Sequence, residues 1–232
     1  MKRFYENVDV AEVADAGWQV TLDGRGLRTV KGTPQIVPTR KLAQALAREW
    51  AEQSENIDTS RFVHRDQTDF AINIVANDPE EAISQIIKYA ETDTLCYRAD
   101  PEHSLFERQQ AVWEPLIERV EQSHGVKFTR VSGIVPRPQP PETLAKLSEF
   151  LSGRDHFTLA GMQTMASLAA SLCIPLLALE NGADPIGLWH AASLEEEWQS
   201  DLWGRDQEAE TRRRRRQEAF LAACKWVNLL ND

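Results

Sequence analysis

Two rhythms of apolar and polar positions divide the chain near Asn77. Before it, alternation dominates. Gly17 to Leu22 alternates apolar and polar residues and reads as a strand, and Leu27 to Lys31 follows after Asp23-Gly24-Arg25-Gly26. An Asp-Gly step between alternating runs signals a hairpin. Phe4 to Val10 and Gln35 to Val37 read as further strands. One helix interrupts them: Thr39 can cap it, and Leu42, Leu46 and Trp50 recur every four residues on one face. Arg61 to Val75 fits either a strand or a helix.

Beyond Asn77 the period is helical. Asp78-Pro79-Glu80-Glu81 supplies a capping acid, a proline at the first helical position and a glutamate three residues after the cap. Ala82, Ile83, Ile86, Ile87 and Ala90 then make one apolar face. Leu105 to Gln122 reads as a helix that Pro115 should break or kink. The prolines of Gly133 to Pro141 mark a loop or linker. Leu144 to Leu151 is a short helix. Leu159 to Leu179 is a largely apolar helix or helix pair, interrupted at Pro175 and stopped by Asn181-Gly182. Asp184-Pro185 opens one long, charged helix. The expected architecture is α+β: a small β-rich N-terminal domain, residues 1–77, then a larger all-helical C-terminal domain, residues 78–232. Strands should be concentrated before about residue 75.

Charge and composition narrow the function. Of 232 residues, 36 are Asp or Glu and 26 are Lys or Arg, a formal net charge of −10. The first 78 residues hold ten basic and twelve acidic side chains, and the remainder sixteen and twenty-four, so the acidity belongs to the helical part. Such a balance argues against a nucleic-acid binder, which needs cations to displace phosphate counterions. The longest apolar stretch, Ser167 to Leu179, is too short to cross a bilayer, so no membrane insertion is expected. Cys96, Cys173 and Cys224 are far apart and odd in number, which suits a reducing compartment. Met1 to Tyr5 runs into acidic residues without the pattern of a leader, so none is expected.

No constellation for catalysis or metal binding stands out. The five histidines, His64, His103, His124, His156 and His190, have no second ligand at zinc spacing, and no metal or cofactor is expected. Gly24-Arg25-Gly26 lacks the third glycine of a dinucleotide loop and fits a hairpin turn. Arg212 to Arg216 is a conspicuous basic run, but consecutive residues point around the whole helix and make no single basic face. Glu208 and Arg212 are set for an i,i+4 pair. Two stretches hold more. In Tyr89 to Ala99, Thr92 and Asp93 can satisfy backbone donors at a helix boundary, and Asp93 with Arg98 is a candidate internal ion pair. Asp93, Cys96 and Arg98 together are the basis of an alternative reading as a small enzyme. In Leu188 to Gly204, a continuous helix would align Leu188, Ala191, Ala192, Glu195, Trp198, Gln199 and Leu202. Glu195 then lies inside an apolar stripe, where a carboxylate needs a partner such as Arg98 or Arg108, or a place on a protein-binding surface. Glu196 and Glu197 should face water.

These stretches resemble a known family. Lys2-Arg3-Phe4-Tyr5, Gly17-Trp18, Leu22-Asp23-Gly24-Arg25, Val37-Pro38-Thr39 and Glu49-Trp50-Ala51-Glu52-Gln53 are similar to the N-terminal half of the ATP synthase α-subunit assembly chaperones. Thr92 to Ala99, Arg108-Gln109 and Trp113-Glu114-Pro115 resemble its central signature, and Leu194 to Gln199 with Trp203-Gly204 its C-terminal signature. The resemblance implies a bacterial, cytoplasmic member, with eukaryotic relatives in the mitochondrial matrix. It implies a monomer with no cofactor and no reaction, whose partner is the free α subunit of the soluble catalytic head of the ATP synthase. It also implies a functional glutamate among Glu195, Glu196 and Glu197. The expected partner-binding residues are Glu195, Glu196, Trp198, Gln199 and Trp203, with Thr92, Asp93, Tyr97, Arg98 and Arg108 forming a structural or binding motif.

Overall fold

The computed structural model describes residues 1–133, 137–204 and 206–231. Ile134, Val135 and Pro136 of the expected linker lie outside them. Two compact units form. The first comprises Met1–Pro79, Asp155–Gly161 and Lys225–Asp232, the second Glu80–Arg154 and Met162–Cys224. Each is assembled from separate stretches of chain rather than divided by a single cut after residue 77.

In the first unit, β2 (Gly17–Leu22) is central. It pairs antiparallel with β1 (Val8–Val13), in register from Val8 opposite Leu22 to Val13 opposite Gly17. It also pairs with β3 (Arg25–Gly26) and β4 (Ile36–Val37). Between Leu22 and Arg25 the turn holds Asp23 at φ 48° and Gly24 at φ 78°. Two left-handed residues match the twist of the flanking strands, the reason Asp-Gly marks a hairpin. The Asp23 carboxylate accepts the N–H groups of Glu6 and Asn7, which hold its pKa below the usual carboxylate range. Phe4 to Tyr5 are not in the strand; Tyr5 is buried and its hydroxyl donates to the Trp50 carbonyl at 2.7 Å. Leu27 to Lys31 forms no strand either: Arg28 makes an isolated bridge to Pro34, and the chain turns at Gly32.

The helix α1 (Arg40–Ala51) is capped by Thr39 and buries Leu42, Leu46 and Trp50. The ambiguous stretch is helical, as α2 (Val63–Phe70) followed by a π turn over Ala71–Val75. Its period was obscured because it buries polar residues. Asp69 accepts from the Gln35 side chain at 2.6 Å and the Val30 amide at 2.9 Å, and Asn73 from Thr29 at 3.0 Å. The late stretches join this core through Trp226, fully buried, whose indole N–H reaches Thr68 at 3.3 Å. A side chain at Gly161 would collide with Val227.

The second unit holds α4 (Ser104–His124), α5 (Pro141–Ser152), α7 (Cys173–Ala178), α8 (Pro185–Ala192) and α9 (Leu194–Trp203), with all but the first residue of α3 (Pro79–Glu91), the part of α6 (His156–Ala169) from Met162 on, and the part of α10 (Gln207–Asn228) up to Cys224. It is not all helix: β5 (Tyr97–Arg98) and β6 (Val131–Ser132) make a short parallel pair. Three helix expectations are corrected. Pro115 does not break α4, which is anchored around it by the fully buried Trp113 and Ile117. Pro175 does not separate the apolar pair; it falls in the first turn of α7, where no intrahelical N–H is required. The break comes instead at Ala170, with φ 48°. The long helix from Pro185 is interrupted at Ser193 (φ −96°, ψ 8°), giving α8 and α9.

Candidate protein-docking site

The second unit places most of the expected residues around one open groove of about 440 Å³, lined by Tyr97, Arg98, Glu195, Trp198, Gln199 and Trp203 among others. Helix α9 supplies one wall, and α4 fixes it. The Trp113 indole N–H donates to the Ala191 carbonyl at 2.8 Å, seating the end of α8 on α4. Gln109, one turn earlier on α4, is fully buried. Its carbonyl oxygen accepts the Ala99 amide at 2.8 Å, and its amide donates to Glu195 Oε1 at 2.6 Å. Glu195 is half-buried, and burial pushes its carboxyl above the usual range, against the opposing bond from Gln109. Its partner is an amide, not Arg98 or Arg108. One hydrogen bond leaves acceptor capacity on a partly desolvated carboxylate. Beside it, Leu202 and Trp203 are 56% and 78% exposed. Adjacent large apolar side chains left in water mark an interaction surface more often than a chance arrangement.

Arg98 is buried under the groove and is ion-paired with Glu114 at 2.6 Å, not with Asp93. Arg130 adds a second ion pair to Glu114 at 2.7 Å and one to Glu121. Burial acts upward on the Glu114 carboxyl, but the hydrogen bonds from Arg130 and Arg98 outweigh it and hold the carboxyl below the usual range. Arg108 stands over the Trp198 ring at 5.7 Å and 3.7 Å from Asp201. Thr92 is exposed and its hydroxyl donates to the Lys88 carbonyl, away from the groove. Asp93 is completely buried and accepts three backbone N–H groups, from Leu95 at 3.0 Å, Leu172 at 2.8 Å and Cys173 at 2.9 Å. Burial nonetheless raises its pKa.

The alternative site of Asp93, Cys96 and Arg98 is not assembled: Asp93 serves the backbone, Arg98 serves Glu114, and the Cys96 thiol is fully buried with its pKa pushed up by burial. A thiol so placed is inert as a nucleophile. Among the described residues, no cluster of His, Cys, Asp or Glu is arranged to hold a metal ion. No helix among them is long and apolar enough to cross a membrane.

The three consecutive glutamates separate. Glu195 turns to Gln109 and the groove. Glu196 pairs with Arg216 at 2.8 Å, and Glu197 lies 2.6 Å from His190 Nδ1. Neither is simply solvated. Sequence reasoning missed Gln109 as a site residue, although its spacing of four from Trp113 places both on one face of α4. It also set Leu202 in one apolar stripe with Leu188 and Ala191, without separating them: Leu188 and Ala191 are buried, while Leu202 is an exposed wall of the groove.

A family model described as ATP12 chaperone protein matches residues 2–121. The mitochondrial protein atp12 of Schizosaccharomyces pombe is 27% identical over 220 residues, 88% of this chain and 74% of that protein. Atp12 of Paracoccus denitrificans is 31% identical, with a TM-score of 0.94 over 99% of this chain and 98% of that one. The Agrobacterium tumefaciens protein Atu1473 is 33% identical, with a TM-score of 0.94 over 99% and 86% of the two chains. The class defined here is that of ATP synthase assembly chaperones. The chain belongs to the ATP12 chaperone family.

Proposed function

We propose that the groove holds the free α subunit of the ATP synthase catalytic head until the β subunit replaces the chaperone. In this reading the protein is a non-enzymatic, monomeric chaperone of the bacterial cytoplasm. The observation that carries it is the pairing of exposed Leu202 and Trp203 with half-buried Glu195, whose hydrogen-bond partner among the described residues is Gln109. Apolar anchors supply affinity, and a partly desolvated carboxylate supplies selectivity, since a wrong partner leaves it unpaired. Tyr97, Trp198 and Gln199 complete the wall, while Glu196 is turned toward α10.

Glu195→Lys tests this reading through thermal stability and capture of purified α subunit, measured together. A side chain that is half in water tolerates reversal, and the buried Gln109 amide that loses its acceptor lowers the melting temperature by several degrees while the fold persists. Capture should weaken by about 2–5 kcal/mol, the cost of reversing a charge at a desolvated contact. A folded variant that captures the α subunit normally would remove Glu195, and with it the groove, from the interface.

A further inference from the structure

The arginine run is unused by the docking reading, yet two of its members face the docking helix. Arg213 and Arg216 are three apart on α10 and so share a side; Arg213 is partly buried, and Arg216 is exposed like Arg212, Arg214 and Arg215 but has partners on α9. Arg216 donates to Glu196 at 2.8 Å and to the Leu168 carbonyl at 2.9 Å, and its guanidinium lies 5.6 Å from the Trp189 ring. Arg213 lies 3.1 Å from Glu210 and 3.7 Å from Glu197 Oε1, the oxygen that also meets His190. The expected pair of Glu208 with Arg212 does not form among the described residues.

These ties matter because α9 buries little apolar surface of its own. Leu194 is the buried residue of α9, and a cleft of about 430 Å³, lined mostly by polar and charged residues together with Trp203, lies between α9 and α10. A helix without a packed face depends on its polar contacts for its orientation. Gln109 and Arg108 hold α9 from α4, and the two arginines of the run hold it from α10. We infer that Arg213 and Arg216 are positioning residues: anchored on Glu197 and Glu196, they hold α9 so that Glu195, Trp198 and Trp203 present the groove, without themselves touching the partner. The inference rests on the groove being the docking surface. It also divides the labour of the glutamate triplet, with Glu195 for recognition and Glu196 and Glu197 for orientation.

Arg216→Glu, the charge-swapped double variant Arg216→Glu with Glu196→Arg, and the control Arg214→Glu test it. The readouts are affinity for purified α subunit, melting temperature, and hydrogen exchange of α9. Because an exposed ion pair contributes little to stability, Arg216→Glu should melt within about 3 °C of the parent. It should exchange α9 amides faster while α4 and α8 are unchanged, and bind the α subunit about tenfold more weakly. The swap should restore affinity and protection, and Arg214→Glu should bind as the parent does. Equal losses in Arg214→Glu and Arg216→Glu would show a basic surface that touches the partner directly and would overturn the inference. So would normal binding by Arg216→Glu, or an affinity loss that the swap leaves in place. Glu195→Lys in the same assay separates the two levels: if it binds normally, the docking reading fails, whereas if only Arg216→Glu binds normally, the positioning role alone fails.

Discussion

At the scale of single residues, burial decides what each charge can do. Asp93 was readable as a boundary residue, because Thr-Asp before an apolar turn is a local capping signal, but its true partners lie 79 and 80 positions away at Leu172 and Cys173. Local spacing offered Arg98 as a partner five residues on, while the fold gives Arg98 to Glu114. The glutamate motif was likewise legible as a motif, but its division among Gln109, Arg216 and His190 needs the third dimension. The Asp93 geometry makes Asp93→Asn far from conservative. An amide offers one oxygen in place of two and points N–H groups at donors; with its oxygen on the position shared by Leu172 and Cys173, the Leu95 amide loses its acceptor. A buried orphan costs about 1–3 kcal/mol, so the variant should lose at least about 1 kcal/mol and melt roughly 2–12 °C lower. Thermal unfolding followed by circular dichroism checks this; an unchanged melting point would mean the carboxylate is not the shared acceptor.

At the scale of elements, the periods named the helices and misplaced their breaks. Prolines were read as interruptions at Pro115 and Pro175, and neither interrupts. The actual breaks, at Ala170 and Ser193, are at residues with no breaking signature, where packing sets the backbone. The helical reading of α9 and α10 survives because both carry strong helix formers, whereas the two-residue pair β5–β6 is too short to show any period. Pro115 has a testable consequence. It is exposed in the interior of a continuous α4, and it leaves the Ala111 carbonyl without its helical N–H partner. Pro115→Ala supplies that N–H and relieves the ring's clash with the preceding turn. Since proline is about 3 kcal/mol worse than alanine inside a helix, offset by about 0.4–1 kcal/mol of unfolded-state entropy, the variant should melt higher by roughly 4–8 °C. A lower melting temperature would show that α4 is shaped by its proline and not merely tolerant of it.

At the scale of the whole chain, the change of rhythm put the larger sheet early, but the turn to helix comes well before Asn77, after β4 ends at Val37. The rhythm could not show that Asp155–Gly161 and Lys225–Asp232 join the first unit, because periodicity carries no information on long-range pairing. That return has an electrostatic effect at His64. His64 is buried in α2, its Nδ1 has no hydrogen-bond partner, and its pKa is lowered to about 4, by burial first and then by the positive charges of Lys225 and Arg48. The folded chain therefore keeps His64 neutral where the unfolded chain, near 6.5, takes up a proton. Neutral His64 stabilises the fold fully above pH 6.5; the contribution fades as pH falls toward 4 and is constant below. The span corresponds to about 3 kcal/mol. His124 and His156, also lowered by burial, act in the same direction. Glu49, whose carboxylate accepts the His64 and Arg65 amides and whose pKa is raised by burial, acts in the opposite one. Subtracting a His64→Gln variant from the parent isolates the term from the others. Denaturant unfolding between pH 7 and 4 should show the parent losing stability more steeply than the variant, with the two curves parallel above pH 7. Curves parallel throughout, or an imidazole titrating near 6.5 by NMR, would show that His64 is free to ionise in the folded state and that the late segment does not shield it.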